Sequence, residues 1–168
     1  MHKSIRRMLE TPLSLLTNEE ECTMLSFDNG VTQQEVEELV WEEENINELA
    51  EECKIRLISH FAQYRKFFNS KPQSVEHVLY KYDEQPQPIR GVEKIIGESI
   101  TVIVCFAKYW SKHWGGDVVG YERSEPVEVV ASYPGRIIVS EGENWIKVGQ
   151  PTVEAKTELH YLQFKLSI

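Results

Sequence analysis

The spacing of apolar residues divides the chain into a helical first part and a second part rich in strands. Thr17–Glu20 and Thr32–Glu35 both fit a capping box, which predicts a short helix near Glu19–Leu25 and another helix starting at Thr32. The second helix is expected to carry three apolar residues on one side, Val36, Leu39 and Val40. A longer helix is predicted over Asn47–Asn69, where apolar residues recur every three or four positions. Its core-facing stripe consists of Leu49, Cys53, Leu57, Phe61, Tyr64 and Phe68.

From Ser74 onward, short β-branched and apolar segments alternate with turn residues. Their spacing of about 8–12 residues is typical of an antiparallel sandwich or jelly roll. Ser99–Phe106 is apolar on both faces, so we expect a central strand that is covered on both sides. The pattern predicts a single domain over residues 1–168, mainly helical in residues 1–70 and rich in strands in residues 71–168, the part to which the family resemblance below assigns a β-barrel. The predicted strands are Val75–Tyr82, Ser99–Phe106, Val118–Glu122, Val127–Ala131, Arg136–Val139, Trp145–Val148 and Leu159–Leu166.

Composition and charge narrow the classes of function. A chain of 168 residues with 41% hydrophobic and 27% charged residues suits one globular domain. The longest apolar run, Ile100–Ala107, is far shorter than the ~20 residues of a membrane span, so we expect a cytoplasmic protein without membrane contact. The net charge of −9 argues against broad binding to a phosphate backbone, so nucleic acid is not the expected partner. A local basic cluster beside Trp110 and Trp114 keeps nucleic acid as an alternative; it consists of Lys108, Lys112, His113 and Arg123.

An acidic run separates the predicted helices. Nine glutamates and no basic residue lie from Glu35 to Glu52. A solvated helix face is the simpler interpretation. The alternative is a docking surface for a basic partner, because a field of one sign steers association. Glu42, Glu43 and Glu44 in succession cannot all point the same way on a helix, so a metal site is not expected there.

The sequence lacks the common catalytic motifs. It contains no GxSxG, GxxxxGK[ST], HExxH or GxGxxG pattern, and none of its five histidines forms the His-x-Asp pair of a mononuclear iron site. His77 could act as a lone base, but a packing role is simpler, as it is for His60 beside the helical stripe. The three cysteines form no CxxC pair, so we expect reduced, buried thiols. Aromatic residues expected in the barrel core rather than in a ligand pocket are Tyr109, Trp110, Trp114, Tyr133 and Trp145.

The order of motifs in the second half carries a family resemblance. His113–Tyr121 reads H-W-G-G-D-V-V-G-Y, Val127–Val129 reads V-E-V, and Tyr133–Val139 reads Y-P-G-R-I-I-V. These segments resemble the W-x-GG-E-L, V-x-V and P-G-R-L-V-L-F stretches of the prolyl 4-hydroxylase-like branch of the 2-oxoglutarate and Fe(II)-dependent oxygenases. The resemblance covers about Val75–Ile168. It implies an α+β fold, with N-terminal helices packed on a double-stranded β-helix (jelly-roll) barrel.

The chain departs from that family where the family binds iron. The family's His-x-Asp would fall in Gln87–Glu93, where Glu93 is the one hard ligand. The second family histidine falls at Ile146. Lys156 and His160 lie near the family's 2-oxoglutarate-binding Arg or Lys, but neither sits in a clear motif. We therefore predict no catalytic, cofactor-binding or metal-ligating residues, and a barrel mouth filled by side chains such as Trp145 and Ile146.

A chain that resembles the family but lacks its iron-binding residues is expected to be a pseudoenzyme. The leading hypothesis is a non-catalytic scaffold that acts as a binding or structural protein, with another protein as its partner. Small divergent members of the family occur in bacteria and tailed bacteriophages, which adds the hypothesis of a phage accessory or virion component. One alternative is an active oxygenase with displaced ligands, using His77, Glu93 or His160. The other is an acidic adaptor or inhibitor that docks a basic partner through Glu35–Glu52.

Overall fold

The computed structural model describes residues 23–82, 88–90, 99–142 and 145–168. Two α-helices, two short 3-10 helices (Ala62–Phe67 and Lys112–Trp114) and nine strands are present in these ranges. The α-helices are α1 (Gln33–Glu38) and α2 (Glu43–His60). The strands are β1 (Thr23–Phe27), β2 (Gln73–Tyr80), β3 (Ile89–Arg90), β4 (Ser99–Cys105), β5 (Val118–Glu122), β6 (Glu125–Val130), β7 (Ile137–Glu141), β8 (Trp145–Val148) and β9 (Leu159–Ser167).

The strands form two antiparallel sheets that face each other. The larger sheet has the order β1-β7-β4-β9-β2 and the smaller sheet has the order β3-β8-β5-β6. From β2 to β9 the chain passes repeatedly between the two sheets, which is the connectivity of a double-stranded β-helix. The predicted jelly-roll barrel and the α+β class are therefore confirmed. All seven predicted strands are present with ends within two residues of the prediction.

Two apolar layers cover the larger sheet. On β4 the side chains of Ile100, Val102 and Val104 face the helices, whereas Ile103 and Cys105 face the barrel interior. We call these layers the outer core and the inner core. All seven residues of β4 are buried, which confirms the prediction of a central strand covered on both sides.

The long helix predicted over Asn47–Asn69 begins earlier, at Glu43, and ends earlier, at His60. The helix α2 ends at His60, and the chain continues as a 3-10 helix over Ala62–Phe67. A 3-10 helix has three residues per turn rather than 3.6, so the apolar stripe shifts in phase. As a result Phe67 is fully buried, while Phe68, predicted to face the core, is 62% exposed.

The capping box at Thr32 is confirmed. The Thr32 hydroxyl accepts a hydrogen bond from the Glu35 amide, and the Glu35 carboxylate accepts one from the Thr32 amide. The helix that follows ends at Glu38, so Val40 lies beyond it and is exposed.

The predicted helix near Glu19–Leu25 is wrong for its described residues. From Thr23 onward the chain forms β1, which pairs with β7 in register from Thr23 opposite Glu141 to Phe27 opposite Ile137. Alternate side chains serve different layers, since Met24 lies in the inner core and Leu25 packs on the outer core. Pairing with the edge of β7 therefore overrides the local helical signal. The capping box at Thr17–Glu20 lies outside the described residues.

Two glycine turns close one end of the barrel. Gly116 has a φ of +74°, and a Cβ there would lie 2.6 Å from Leu159 Cδ2. Gly135 has a φ of +81°, and a Cβ there would collide with the Val31 carbonyl oxygen. The next residue, Arg136, holds the β6–β7 connection to the end of β1 through a 2.6 Å ion pair with Asp28. These turns give the two glycine-containing motifs of the sequence a structural role.

Within the described ranges, no helix has the length and the apolar character that crossing a membrane would require.

Candidate functional site

The barrel interior, where a ligand site is expected in a jelly-roll barrel, is packed mainly with apolar side chains. Ile146 lies on β8, fully buried, opposite Ile89 on β3 and Gly120 on β5. On the facing sheet, Ile138 and Tyr161 belong to the same inner core. The place at which the resemblance puts an iron-binding histidine is therefore an enclosed apolar environment.

Trp145 does not fill the barrel mouth as predicted. Successive residues of a strand point to opposite faces. Since Ile146 and Val148 point into the inner core, Trp145 points away from it and is 46% exposed. The other predicted core aromatics divide in the same way. Trp110 is buried and Trp114 is partly buried beside it at a ring distance of 5.4 Å, whereas Tyr109 and Tyr133 are exposed.

Hydroxyl groups close the glycine end of the barrel. The Ser132 hydroxyl lies within hydrogen-bond distance of both the Gly116 carbonyl oxygen and the Tyr161 hydroxyl. Burial raises the pKa of Tyr161 well above its usual value and raises the pKa of the nearby Cys105 thiol to about 11. Both groups are therefore neutral at physiological pH, and Cys105 is not a reactive thiolate.

The two described cysteines behave as predicted. Cys53 and Cys105 are free and buried, and burial raises the pKa of the Cys53 thiol to about 12. Cys22 lies outside the described residues.

A small polar patch on the inner face of the larger sheet was missed by the sequence analysis. Thr101 and Ser140 lie opposite each other on β4 and β7, and Gln163 follows on β9. Their hydroxyl oxygens and the Gln163 Oε1 atom are buried and have no hydrogen-bond partner within the described residues. Neutral hydroxyl and amide groups suit a water molecule or a small polar ligand better than a metal ion.

The strands β2 and β9 bring together two histidines that are 83 positions apart in sequence. His77 Nε2 lies 2.7 Å from His160 Nδ1, and His160 Nε2 lies 2.8 Å from Glu158 Oε2. If His77 donates to His160 and His160 donates to Glu158, both contacts are satisfied with neutral imidazoles. Trp41 covers the pair, stacked at 3.7 Å on His77. We call His77 and His160 the histidine pair.

The histidine pair lies outside the barrel. His77 pairs in register with Leu162, which belongs to the outer core, and Trp41 also contacts Phe106 of that layer. Burial, and to a smaller extent the neighbouring His160, lower the pKa of His77. The packing role predicted for His77 therefore agrees with its position. His60 also packs, stacked at 4.1 Å on Phe27, although it is exposed rather than partly buried.

The acidic run from Glu35 to Glu52 is not a uniform solvated face. The Arg56 guanidinium forms a two-pronged ion pair with Glu35, at 2.5 and 2.9 Å, and lies 3.6 Å from Glu52. Its hydrogen bonds lower the pKa of Glu35. The buried Lys54 ammonium pairs with Glu51 and also donates to two backbone carbonyl groups, those of Phe68 and Ser70.

Comparisons with solved structures show which known fold this architecture resembles. No family model and no curated protein matches the chain. Among solved structures, a Pseudomonas putida prolyl-4-hydroxylase superposes with a TM-score of 0.53, over 99% of this chain and 93% of that chain, at 13% sequence identity. This chain has the prolyl 4-hydroxylase fold. The structure thus confirms the motif resemblance at the level of the fold.

Two further oxygenase structures are similar at lower scores. A Trichoplax adhaerens prolyl hydroxylase, in complex with a hypoxia-inducible-factor peptide fragment, has a TM-score of 0.48 and 14% identity, over 98% of this chain and 91% of that chain. A Burkholderia pseudomallei oxidoreductase of the 2-oxoglutarate and Fe(II) oxygenase family has a TM-score of 0.45 and 14% identity, over 95% and 89%.

The described residues of this chain do not fit the iron that the fold implies. Such a site needs imidazole and carboxylate groups at the barrel mouth. This chain places the fully buried Ile146 against Ile89 there, and both histidines of the pair lie in the outer layer. Within the described ranges, no group of three His, Cys, Asp or Glu side chains could hold a metal ion. Only residues 88–90 of the stretch Gln87–Glu93 are described, so Glu93 lies outside the described residues.

Proposed function

We propose that this chain is a non-catalytic protein on the prolyl 4-hydroxylase fold, which acts by binding another protein. The observation that carries the proposal is the packing of Ile146 against Ile89 inside the barrel. An isoleucine supplies no lone pair to a metal ion. Its side chain also occupies space that coordinated water and a 2-oxoglutarate carboxylate would need.

The alternative of an oxygenase with displaced ligands receives little support from the described residues. His77 and His160 come together, but they face the helices and use their facing ring nitrogens for a contact with each other. A metal bound by them would lie behind the sheet, outside the barrel. Glu93 is the one remaining candidate from the sequence.

A metal titration tests the proposal. The protein is titrated anaerobically with Fe(II) or Mn(II) in the presence of 2-oxoglutarate, and succinate release is measured in air against a boiled control. We expect neither stoichiometric metal binding nor succinate above the control. Metal binding that depends on 2-oxoglutarate, or succinate release, would contradict the proposal and favour the oxygenase.

We further propose that the chain is a phage accessory or virion component. This extension rests only on the occurrence of small divergent members of the family in tailed bacteriophages. Mass spectrometry of virions purified from the source culture tests this extension. Absence of the chain from the virions and from infected cells would reject it, and would leave the binding function unaffected.

A further inference from the structure

A groove of about 430 Å³ lies between α1 and α2, on the opposite side of the outer core from the barrel. Its floor is apolar and contains Leu39, Val40 and Leu49. Leu39 and Leu49 also pack on the outer core, whereas Val40 is 54% exposed. The groove is shallow and open to solvent along its length.

The walls of the groove carry an excess of negative charge. Four carboxylates and one guanidinium line it. The guanidinium, of Arg56, is already paired with Glu35 and Glu52. Glu38 contacts only the side-chain amide of Gln34, at 3.0 Å, and Glu48 has no hydrogen bond or ion pair within the part of the chain that the structure describes. Among the described residues, the carboxylates of Glu38 on α1 and Glu48 on α2 therefore have no cation as a partner.

The groove is held in shape by contacts of its own. Arg56 joins the two helices, since it donates to Glu35 on α1 and, at 2.8 Å, to the Gly30 carbonyl oxygen. The loop between the helices is fixed at Val40, whose carbonyl oxygen accepts hydrogen bonds from the Glu42 amide at 2.9 Å and the Asn45 side chain at 3.2 Å. A partner would therefore meet walls that need little further ordering, which lowers the entropic cost of binding.

We infer that this groove docks a linear segment of a partner protein in which lysine or arginine residues flank one apolar side chain. The apolar side chain would lie on Val40 and Leu49, and the cations would meet Glu38 and Glu48. The inference rests on the proposed binding function and assigns that function to a surface.

The groove differs from an ordinary solvated helix face. A solvated face would spread its charges over polar surface, without apolar residues such as Leu39, Val40 and Leu49 between them. Here the two carboxylates without cations border an exposed valine. Glu43 and Glu44 belong to the same acidic run and lie on α2, as Glu48 does, but they do not line the groove. Charge reversal at these two residues is therefore a matched control for charge reversal inside the groove.

A random linear peptide library, selected on the immobilised full chain at ~150 mM salt, tests the inference. At this ionic strength the screening length is ~8 Å, which suppresses binding by distant charges. We expect the enriched peptides to share basic residues around a leucine, methionine or phenylalanine. The dissociation constants of synthetic versions of these peptides are then measured by fluorescence anisotropy.

Paired variants locate the binding. Glu38→Lys/Glu48→Lys should weaken binding at least ~10-fold, because like charges then face each other across the contact. Glu43→Lys/Glu44→Lys changes the net charge by the same amount outside the groove, and we expect a change within about 2-fold. Val40→Ser should weaken binding several-fold through lost apolar contact. Thermal melts of all variants verify that each is folded.

Three outcomes would overturn the inference: no enriched peptide, enrichment without basic residues, or equal loss in the two charge-reversal variants. Each of these leaves the metal titration untouched, so the groove can fail while the non-catalytic assignment stands. Conversely, succinate release would reject the non-catalytic assignment without changing which variant weakens peptide binding.

Discussion

The substitution Ile146→His tests whether the barrel mouth is a packed core or a site that can accept a metal ligand. It places an imidazole where the family resemblance expects one. In this structure the side chain at position 146 is fully buried, opposite Ile89 and Gly120. We therefore expect the variant to be destabilised and to gain no metal affinity.

The expected magnitude follows from the surroundings of Ile146. Removing a buried isoleucine side chain forgoes about 1.5–3 kcal/mol of burial free energy. A buried polar ring atom without a partner costs a further ~1–3 kcal/mol. The sum of about 2.5–6 kcal/mol is a large fraction of the ~5–15 kcal/mol that stabilises a typical domain.

The assay is urea denaturation at several pH values. Burial should hold the pKa of the introduced imidazole below the ~6.5 of the unfolded chain. The unfolded state then takes up the proton first, so stability is fully present above pH ~6.5 and falls as the pH drops toward the pKa of the folded state. The loss relative to the wild type should grow by ~1.4 kcal/mol per pH unit in this window.

Lys147→His on the same strand is the matched control. Lys147 points to the opposite face of β8 and is partly exposed, so the change should alter stability by less than ~0.5 kcal/mol. The reasoning would be refuted by wild-type stability of Ile146→His. It would also be refuted if Mn(II) stabilised Ile146→His but not Lys147→His, because a ligand raises stability only where it binds the folded state.

Three further predictions concern the layers around the barrel. Val104→Asp should prevent folding, because an unpaired buried charge costs several kcal/mol. The control Val129→Asp, at a position that is 60% exposed, should give a normal thermal melt. A cooperative thermal melt of Val104→Asp would show that position 104 is not buried. Because the pKa of His77 is lowered in the folded state, the stability that the neutral His77 contributes is present above pH ~6.5 and is lost as the pH falls. The urea midpoint of His77→Phe should therefore fall less between pH 8 and 5 than that of the wild type. An equal fall in both proteins would contradict this prediction. Lys54→Met should lower the unfolding free energy by ~1–3 kcal/mol, because two carbonyl groups lose their donor, and an unchanged urea midpoint would show that water replaces it.

The strand half of the fold was predictable because its signals are local. Ser99–Phe106 is apolar at every position but two, Ser99 and Thr101, and the glycine turns near Gly116 and Gly135 mark where strands begin. The family resemblance placed Ile146 at the position of an iron-binding histidine, and the structure shows its side chain buried inside the barrel. The error at Trp145 came from neglecting that neighbours on β8 point to opposite faces.

The prediction failed at particular places where the local pattern of residues does not decide the structure. Thr23–Leu25 follows a helix-capping pattern, but pairing with β7, more than a hundred residues later, makes it a strand. The histidine pair has no local signal, since His77 and His160 meet only through the register of β2 and β9. Phe67 and Phe68 exchange roles because a 3-10 turn replaces an α-helical one, a change that the apolar stripe does not reveal.

The distribution of polar groups agrees with the proposal that this chain binds a partner at its helices rather than inside its barrel. In a barrel that binds a cofactor, charged and imidazole groups would converge on the interior. Here the described inner core is mainly apolar, with a few neutral hydroxyl and amide groups, and Glu122 on β5 is also buried. The histidine pair and the Arg56–Glu35 ion pair lie on the helix side of the larger sheet. The helices α1 and α2 pack on the outer core, and the Arg56–Glu35 ion pair joins them beside the groove, so the proposed docking surface is built on the covered side of the larger sheet.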